Sequence, residues 1–326
     1  MENSIYEKTF VQINNNKIGM FLKGNNKANP VLLFLHGGPG FPEYGITQKY
    51  PTHLEEHFII CWYEQRGAGI SYNKNIDPRD ITVENIVSDT VEVANYLKKR
   101  FGQDKVYLMA HSWGTLIGLK TIKQSPELFY AYIGIAQIAN QLKSEQIAYE
   151  YMLEQYKRLE NKNMIRKFER YNLLSLDTIP IDYAKFRDKP MHDLGIGSTY
   201  EMKSVISGLF LPIMKNTEYT FSERITIWKA KSICLNKTNL WETMIKTDFT
   251  KEVNTFDIPI YFFHGIYDYT VNYSLAKEFY NSIIAPIKGF YTFSNSAHSP
   301  IFEEPDKVIK ILLEDVITSK NSNSDI

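Results

Sequence analysis

Ser112 lies between His111 and Trp113, at the end of the apolar residues 106–110, and Gly114 follows. A hydroxyl at the end of a buried-looking strand, with small residues two places to either side, fits a strand–turn–helix nucleophile elbow. The common pattern is G-x-S-x-G. Ala110 replaces the first glycine and still meets the need for smallness in so tight a turn. The helix that begins there adds the partial positive charge of its N-terminus. A serine nucleophile needs a general base, and the base needs an orienting carboxylate. In elbow-type hydrolases the chain order is Ser, then Asp or Glu, then His. Asp268 lies just beyond the apolar run 258–263, and His298 lies 30 residues further on, just beyond the run 290–293. The chemistry of Ser112, Asp268 and His298 would be cleavage of an ester or amide through an acyl-enzyme.

The tetrahedral intermediate of that reaction needs backbone donors for its oxyanion. One would be the amide of Trp113, the residue after the nucleophile. The other would come from the glycine turn HGGPG, residues 36–40, and Gly38 is the candidate because a side chain there would crowd the substrate. The remaining histidines fit less well. His53 and His57 fall in or beside a surface helix, and His192 falls far from any strand end. His111 neighbours the serine in a strand, so alternation predicts a side chain pointing away from Ser112. His36 and His264 end strands upstream of the acid and read as structural hydrogen-bonders. Asp257 precedes its strand and so belongs to the wrong edge of the sheet.

Positioning these groups takes a sheet. Strand-length runs occur at residues 6–13, 17–22, 31–35, 58–62, 106–110, 132–138, 258–263 and 290–293, with Asn14-Asn15-Asn16 suggesting a hairpin between the first two. Helical periodicity fills residues 81–100, with Thr82 as N-cap, and a helix should run from Gly114 to about Ser125. Strands alternating with helices imply a mostly parallel, eight-stranded sheet with helices on both faces, and a site at the carboxyl ends of the strands. The alternation breaks once. Residues 145–159, 164–174, 200–211 and 223–245 look helical, with no clear strand among them. The spacing therefore predicts a core of residues 1–140 and 251–326 and an inserted helical lid of residues 141–250. Tethered on both sides above Ser112, such a lid must roof the site and admit small substrates or chain ends.

Composition narrows the classes. The 326 residues are 44% apolar and 23% charged, values of an ordinary globular chain. Lys+Arg and Asp+Glu are 37 each, so nothing predicts a nucleic-acid or anionic-membrane partner. Lys98-Lys99-Arg100 reads as a helix C-terminus favoured by the dipole. Cys61 and Cys234 are too few for a disulfide framework and lack metal-ligand spacing, and Cys61 reads as a buried free thiol. No metal or organic cofactor is implied. The N-terminus has no signal-like region, and the apolar stretch 204–214 is too short to span a bilayer and carries Pro212, so a cytoplasmic location is expected. Oligomeric state is not legible.

Taken together, HGGPG (36–40), WYEQRGAGIS (62–71), AHSWGT (110–115), HGIYD (264–268) and SAHSPIFEEP (296–305) resemble the proline iminopeptidase-like branch of the α/β-hydrolases. The likeness covers residues 5–140 and 250–318. It implies the α/β-hydrolase fold, the triad Ser112, Asp268 and His298, and the oxyanion donors Gly38 and Trp113. The family's second motif usually reads DQRG. Here Glu64 stands in place of that Asp, and Arg66 remains, expected to pair with a nearby carboxylate for architecture. Iminopeptidases take peptides with a free N-terminus and hold its ammonium with glutamates in or near the lid, in some members directly after the triad Asp. That position is Tyr269 here. None of the lid acids Glu145, Glu150, Glu154, Glu201, Glu218, Glu223, Glu242 and Asp248 matches such an anchor, and they read as solvated helix faces. Trp228, Trp241 and Phe210 are the lid's candidates for an apolar substrate pocket.

Two versions of a hydrolase acting on a small molecule or short peptide stay open: an N-terminal, proline-type aminopeptidase and a small-molecule carboxylesterase. A small-ligand receptor on the same fold is a third reading. Dehalogenases and epoxide hydrolases of this fold use an Asp nucleophile, and Ser112 argues against both.

Overall fold

Both faces of the central strands are apolar, and the fold covers both. In β3 (Val31–Leu35), Val31, Leu33 and Leu35 join the core on one side of the sheet, while Leu32 and Phe34 join the core on the other. A strand buried on both faces reads as an uninterrupted hydrophobic run because alternation has no wet side to mark. β4 (Ile59–Tyr63), β5 (Val106–His111) and β7 (Ile260–Gly265) are buried along their whole length in the same way. The computed structural model describes residues 3–252 and 254–326.

The other strands are β1 (Ile5–Ile13), β2 (Asn16–Gly24), β6 (Phe129–Ile135) and β8 (Lys288–Phe293), and the eight form one sheet in the order β1-β2-β4-β3-β5-β6-β7-β8. β1, β2 and β4 pair antiparallel; every pairing from β4 to β8 is parallel. The parallel strands therefore present their carboxyl ends along one edge.

The helices are α1 (Val83–Phe101), α2 (Trp113–Gln124), α3 (Gln141–Arg158), α4 (Lys162–Phe168), α5 (Ile181–Asp193), α6 (Leu211–Lys215), α7 (Phe221–Asn236), α8 (Leu240–Lys246), α9 (Phe249–Glu252), α10 (Tyr273–Ser282), α11 (Pro300–Glu303) and α12 (Pro305–Ile311). The Thr82 hydroxyl accepts from the Asn85 amide to cap α1, and Lys98, Lys99 and Arg100 occupy its last turn. Among the described residues, every regular helix or strand between β6 and β7 is helical, α3 to α9. The two ends of this segment meet: the Phe249 amide donates to Ala139 O at 2.8 Å, and Asn140 bridges Asp248. The segment also has an apolar cluster of its own, including Tyr149, Met152, Phe168 and Tyr183.

Some elements depart from the expected spans. β6 covers 129–135 rather than 132–138, because Ala136 takes φ 51° and ends the strand. Of the expected helix 200–211 only the part from Val205 is helical, where the wide turn Ile206–Phe210 runs on without a break into α6, with Pro212 in the first turn of α6. The expected helix 223–245 is two helices, α7 and α8, broken at 237–239. α5 has no counterpart among the expected elements, since it is polar and carries Pro190 inside it.

Candidate functional site

Ser112 stands at the C-terminal end of β5, where the chain turns into α2 with φ 54° and ψ −122°. That conformation is rare for a residue with a Cβ. It swings the hydroxyl off the strand, and the side chain makes no capping bond to α2. The turn is possible because its neighbours are small. A Cβ on Gly114 would lie 2.3 Å from Leu35 O and 2.8 Å from His36 O, both backbone atoms that cannot yield.

Asp268 follows β7 and His298 follows β8, each on the loop that leaves the carboxyl end of its strand. His298 Nδ1 donates to Asp268 Oδ2 at 2.9 Å. The amides of Thr270 and Val271 donate to Asp268 Oδ1, each at 2.9 Å, and His264 Nε2 approaches Oδ2 at 3.3 Å while donating to Val271 O. Burial raises the Asp268 carboxyl's pKa, but the charges and hydrogen bonds of His298 and His264 outweigh it and hold it well below the carboxylate range. Burial also lowers the pKa of His298, against the pull of Asp268. Near neutral pH the imidazole is therefore uncharged, with its proton on Nδ1 and Nε2 free as an acceptor.

Ser112, His298 and Gly38 line one chamber of about 250 Å³, together with Glu43, His111, Lys231, Trp241 and residues of α5. Gly38 has φ 122°, and a Cβ on it would lie 2.5 Å from Gly40 N, so the turn excludes a side chain there. Trp113 does not line the chamber with its indole. That ring is buried and donates to Gln65 Oε1 at 2.9 Å; only its amide, the first of α2, lies beside Ser112. Gln65 also donates its side chain to His36 O and its amide to His36 Nε2, which joins the end of β4 to the glycine turn. Arg66 grips Asp89 with two hydrogen bonds, Nε to Oδ2 at 2.7 Å and Nη2 to Oδ1 at 2.6 Å. Glu64, the residue that departs from the family motif, is buried and accepts from Tyr219 in the helical segment; burial pushes its pKa up to about 8.

The chamber wall differs from the expected one. Of the lid candidates only Trp241 lines it. Trp228 packs between Phe41 and Phe210 without reaching the chamber, and Phe210 is itself exposed at the surface. None of the eight lid acids lines it either, and Glu145 is no solvated acid: it is buried, with Oε2 2.9 Å from Arg187 Nε. The acids that do reach the chamber are Glu43, from the core, and Asp188, from α5.

His111 does not face away from Ser112, as alternation predicts. It lines the same chamber, because the positive φ of Ser112 breaks strand alternation at that step. One ring nitrogen pairs with Glu43 and the other donates to His298 O at 2.7 Å. Burial opposes a charge on His111, yet the Glu43 carboxylate and the hydrogen bonds raise its pKa above the ordinary value. Glu303 is a second residue whose role the motifs do not single out, although it lies within SAHSPIFEEP. It accepts from the amides of Ala297 and Ser299, on either side of His298, and of Tyr200 in the helical segment. Burial pushes its pKa up to about 7. In the sequence Glu43 follows HGGPG and Glu303 falls within SAHSPIFEEP, but neither position marks what the acid does. Among the described residues no helix is long and apolar enough to cross a membrane, and no group of three or more His, Cys, Asp or Glu could hold a metal ion.

The sheet order, the elbow and the Asp–His pair at adjacent strand ends define an α/β hydrolase. Residues 30–305 match the α/β hydrolase fold family, and the chain belongs to it. Within that family it is 31% identical over 303 residues to the probable aminopeptidase YbaC of Bacillus subtilis, across 90% of this chain and 91% of that one. It is 24% identical over 303 residues to a proline iminopeptidase of Saccharolobus solfataricus, across 90% and 86% of the two chains. Among solved structures, a proline iminopeptidase-related protein from Thermus thermophilus superposes with a TM-score of 0.61 at 18% identity, covering 95% of this chain and 98% of that one. The relatives agree with the iminopeptidase-like branch to which the motifs pointed.

Proposed function

We propose that the protein is a serine hydrolase that cleaves an amide or ester of a small substrate through an acyl-enzyme, acting as an aminopeptidase on short peptides. The carrying observation is the convergence of the strained Ser112 and the Asp268-bound His298 on one chamber. Ser112 Oγ attacks the scissile carbonyl as His298 Nε2 takes its proton. The amides of Trp113 and Gly38 receive the oxyanion. His298 then passes the proton to the leaving nitrogen or oxygen, and water, deprotonated by the same imidazole, releases the acyl group. Asp268 stays ionised and fixes the tautomer. The helical segment acts as a lid that keeps the reaction away from bulk water.

The relatives' names favour a peptide with a free N-terminus over an ester. A further support is Glu43 Oε2, a buried oxygen in a chamber-lining side chain with no hydrogen-bond partner among the described residues, which could accept from a substrate ammonium. The esterase reading rests on the apolar part of the wall, Ile46, Val205, Leu209 and Trp241. N-Acetylation separates the two. The reading expects hydrolysis of a prolyl-arylamide to be lost on N-acetylation, and short acyl esters to be poor substrates. Equal turnover of the acetylated compound would reject the aminopeptidase and favour the esterase. Covalent labelling by a fluorophosphonate should disappear in Ser112→Ala; labelling that persists would remove Ser112 from the mechanism.

A further inference from the structure

Lys231, on α7, lies on the wall of the same chamber as Ser112 and is only partly exposed. Its ammonium sits over the rings of Phe41 and Trp228, 5.0 and 5.8 Å from their centroids. Among the described residues it makes no ion pair within 4.0 Å. Asp188, whose charge favours the Lys231 ammonium, lies 3.6 Å from Arg187, which opposes it. The backbone places this lysine against the glycine turn: a Cβ on Gly40 would meet Cys234 Cβ at 2.7 Å and Lys231 Cα at 3.4 Å.

We propose that Lys231 receives a carboxylate of the substrate, so that the enzyme selects small anionic or zwitterionic substrates over their neutral counterparts. An ammonium drawn partly out of water loses hydration that two ring faces replace only in part. Burial lowers its pKa for that reason. A carboxylate entering the chamber would restore the missing partner through a charge-assisted hydrogen bond. Of the chamber's acids, Glu43 pairs with His111, and Asp188 lies 3.6 Å from Arg187, which it shares with the buried Glu145. Among the described residues, Lys231 and the surface-exposed Lys185 are the chamber lysines, and neither has an acid within 4.0 Å. The carboxylate could belong to either side of the scissile bond: the C-terminus of a di- or tripeptide, or the far acid of a dicarboxylic half-ester. The inference rests on the hydrolase reading for its substrates but not for its measurement.

The test is binding to the full-length Ser112→Ala protein, which holds ligands without turning them over, read by calorimetry with two matched pairs. Prolylglycine is compared with prolylglycinamide, and the monophenyl ester of succinic acid with the same ester of succinamic acid. The acid should bind about tenfold or more tightly than the amide in at least one pair, and the pair that shows it identifies the side of the bond. Adding Lys231→Met should bring that ratio to about one, and a ratio is indifferent to any general weakening. If the methionine variant does not fold, Lys231→Gln serves. No preference in either pair, or a preference that survives the substitution, overturns the proposal. Fluorophosphonate labelling of the protein that retains Ser112 is scored separately, so a failure of the nucleophile and a failure of the carboxylate site give different results.

Discussion

His111 Nε2 donates to the carbonyl oxygen of His298 at 2.7 Å, so the residue before the proposed nucleophile holds the backbone of the proposed base. The two imidazoles lie with ring centroids 4.8 Å apart, and Glu43 anchors the far side of His111. This buried chain, Glu43 to His111 to His298, holds His298 along its main chain while Asp268 holds it through its ring.

His111→Phe keeps the volume and removes both hydrogen bonds. Misplacing a reacting group by about 1 Å costs on the order of a hundredfold in rate, so a fall in kcat/KM of at least about tenfold is expected. A second readout separates positioning from a general loss of structure. The His111 charge lowers the pKa of His298 more than Glu43 raises it. Loss of His111 also leaves Glu43 buried without a cation, which favours its neutral form. The pH limb of kcat/KM should therefore move upward in His111→Phe. An unmoved limb with a lower plateau would reduce His111 to packing.

On the proposed mechanism, the active form of the unaltered protein is the one with neutral His298. A pKa lowered by burial means that this form is already dominant below the ordinary histidine range. The expected profile rises with pH and levels off, with its midpoint below about 6.5. Asp268, held far below the carboxylate range, adds no second limb until strongly acid conditions. Glu303, pushed up to about 7, and His111, raised above its ordinary value, can also titrate near this range, and any inflexion that Glu303 causes should vanish in Glu303→Gln. A midpoint above about 7 in the Glu303→Gln protein would contradict the assignment of His298 as base.

The order Ser112, Asp268, His298 and the strand ends that carry them are legible because strand-length apolar runs and tight-turn glycines are local signals. The helical segment is not legible in the same detail. α5 combines Lys185, Arg187, Asp188 and Lys189 with Pro190, so its periodicity is weak, yet it supplies much of the chamber wall. Glu145 and Arg187 are brought together from α3 and α5, and nothing in the local pattern of either distinguishes a buried charge from a solvated one. For His111 the alternation rule fails because it runs one residue too far, into a backbone conformation that only the tertiary packing around Ser112 sustains. Arg66 is readable as an architectural cation from its motif, but its partner Asp89 lies 23 residues away on α1.

That pair gives a stability prediction. Both side chains are buried, Asp89 fully and Arg66 with 7% of its surface exposed. Asp89→Ala would leave the guanidinium without its carboxylate, and breaking a buried pair costs about 3–5 kcal/mol. A fall in Tm of several degrees is expected. Replacing both partners with apolar residues of similar size should recover part of the loss. Thermal melts of the single and double variants decide it: a double variant no more stable than Asp89→Ala would show that packing, not the stranded charge, sets the cost.

Ser112 allows the proposed nucleophile to be separated from its cost in stability. At φ 54° and ψ −122° a residue with a Cβ is held outside the ordinary wells, at a cost on the order of 1–3 kcal/mol. Ser112→Ala keeps the Cβ and therefore the strain. Ser112→Gly removes it but adds chain entropy to the unfolded state, a penalty of about 0.5–1 kcal/mol. The strain is the larger quantity, so the glycine variant should melt above the alanine variant by a few degrees at most, with both inactive. The comparison uses two inactive proteins and is therefore blind to catalysis. A glycine variant that melts below the alanine variant would mean that the elbow is relaxed, and that its geometry imposes no such penalty on the fold.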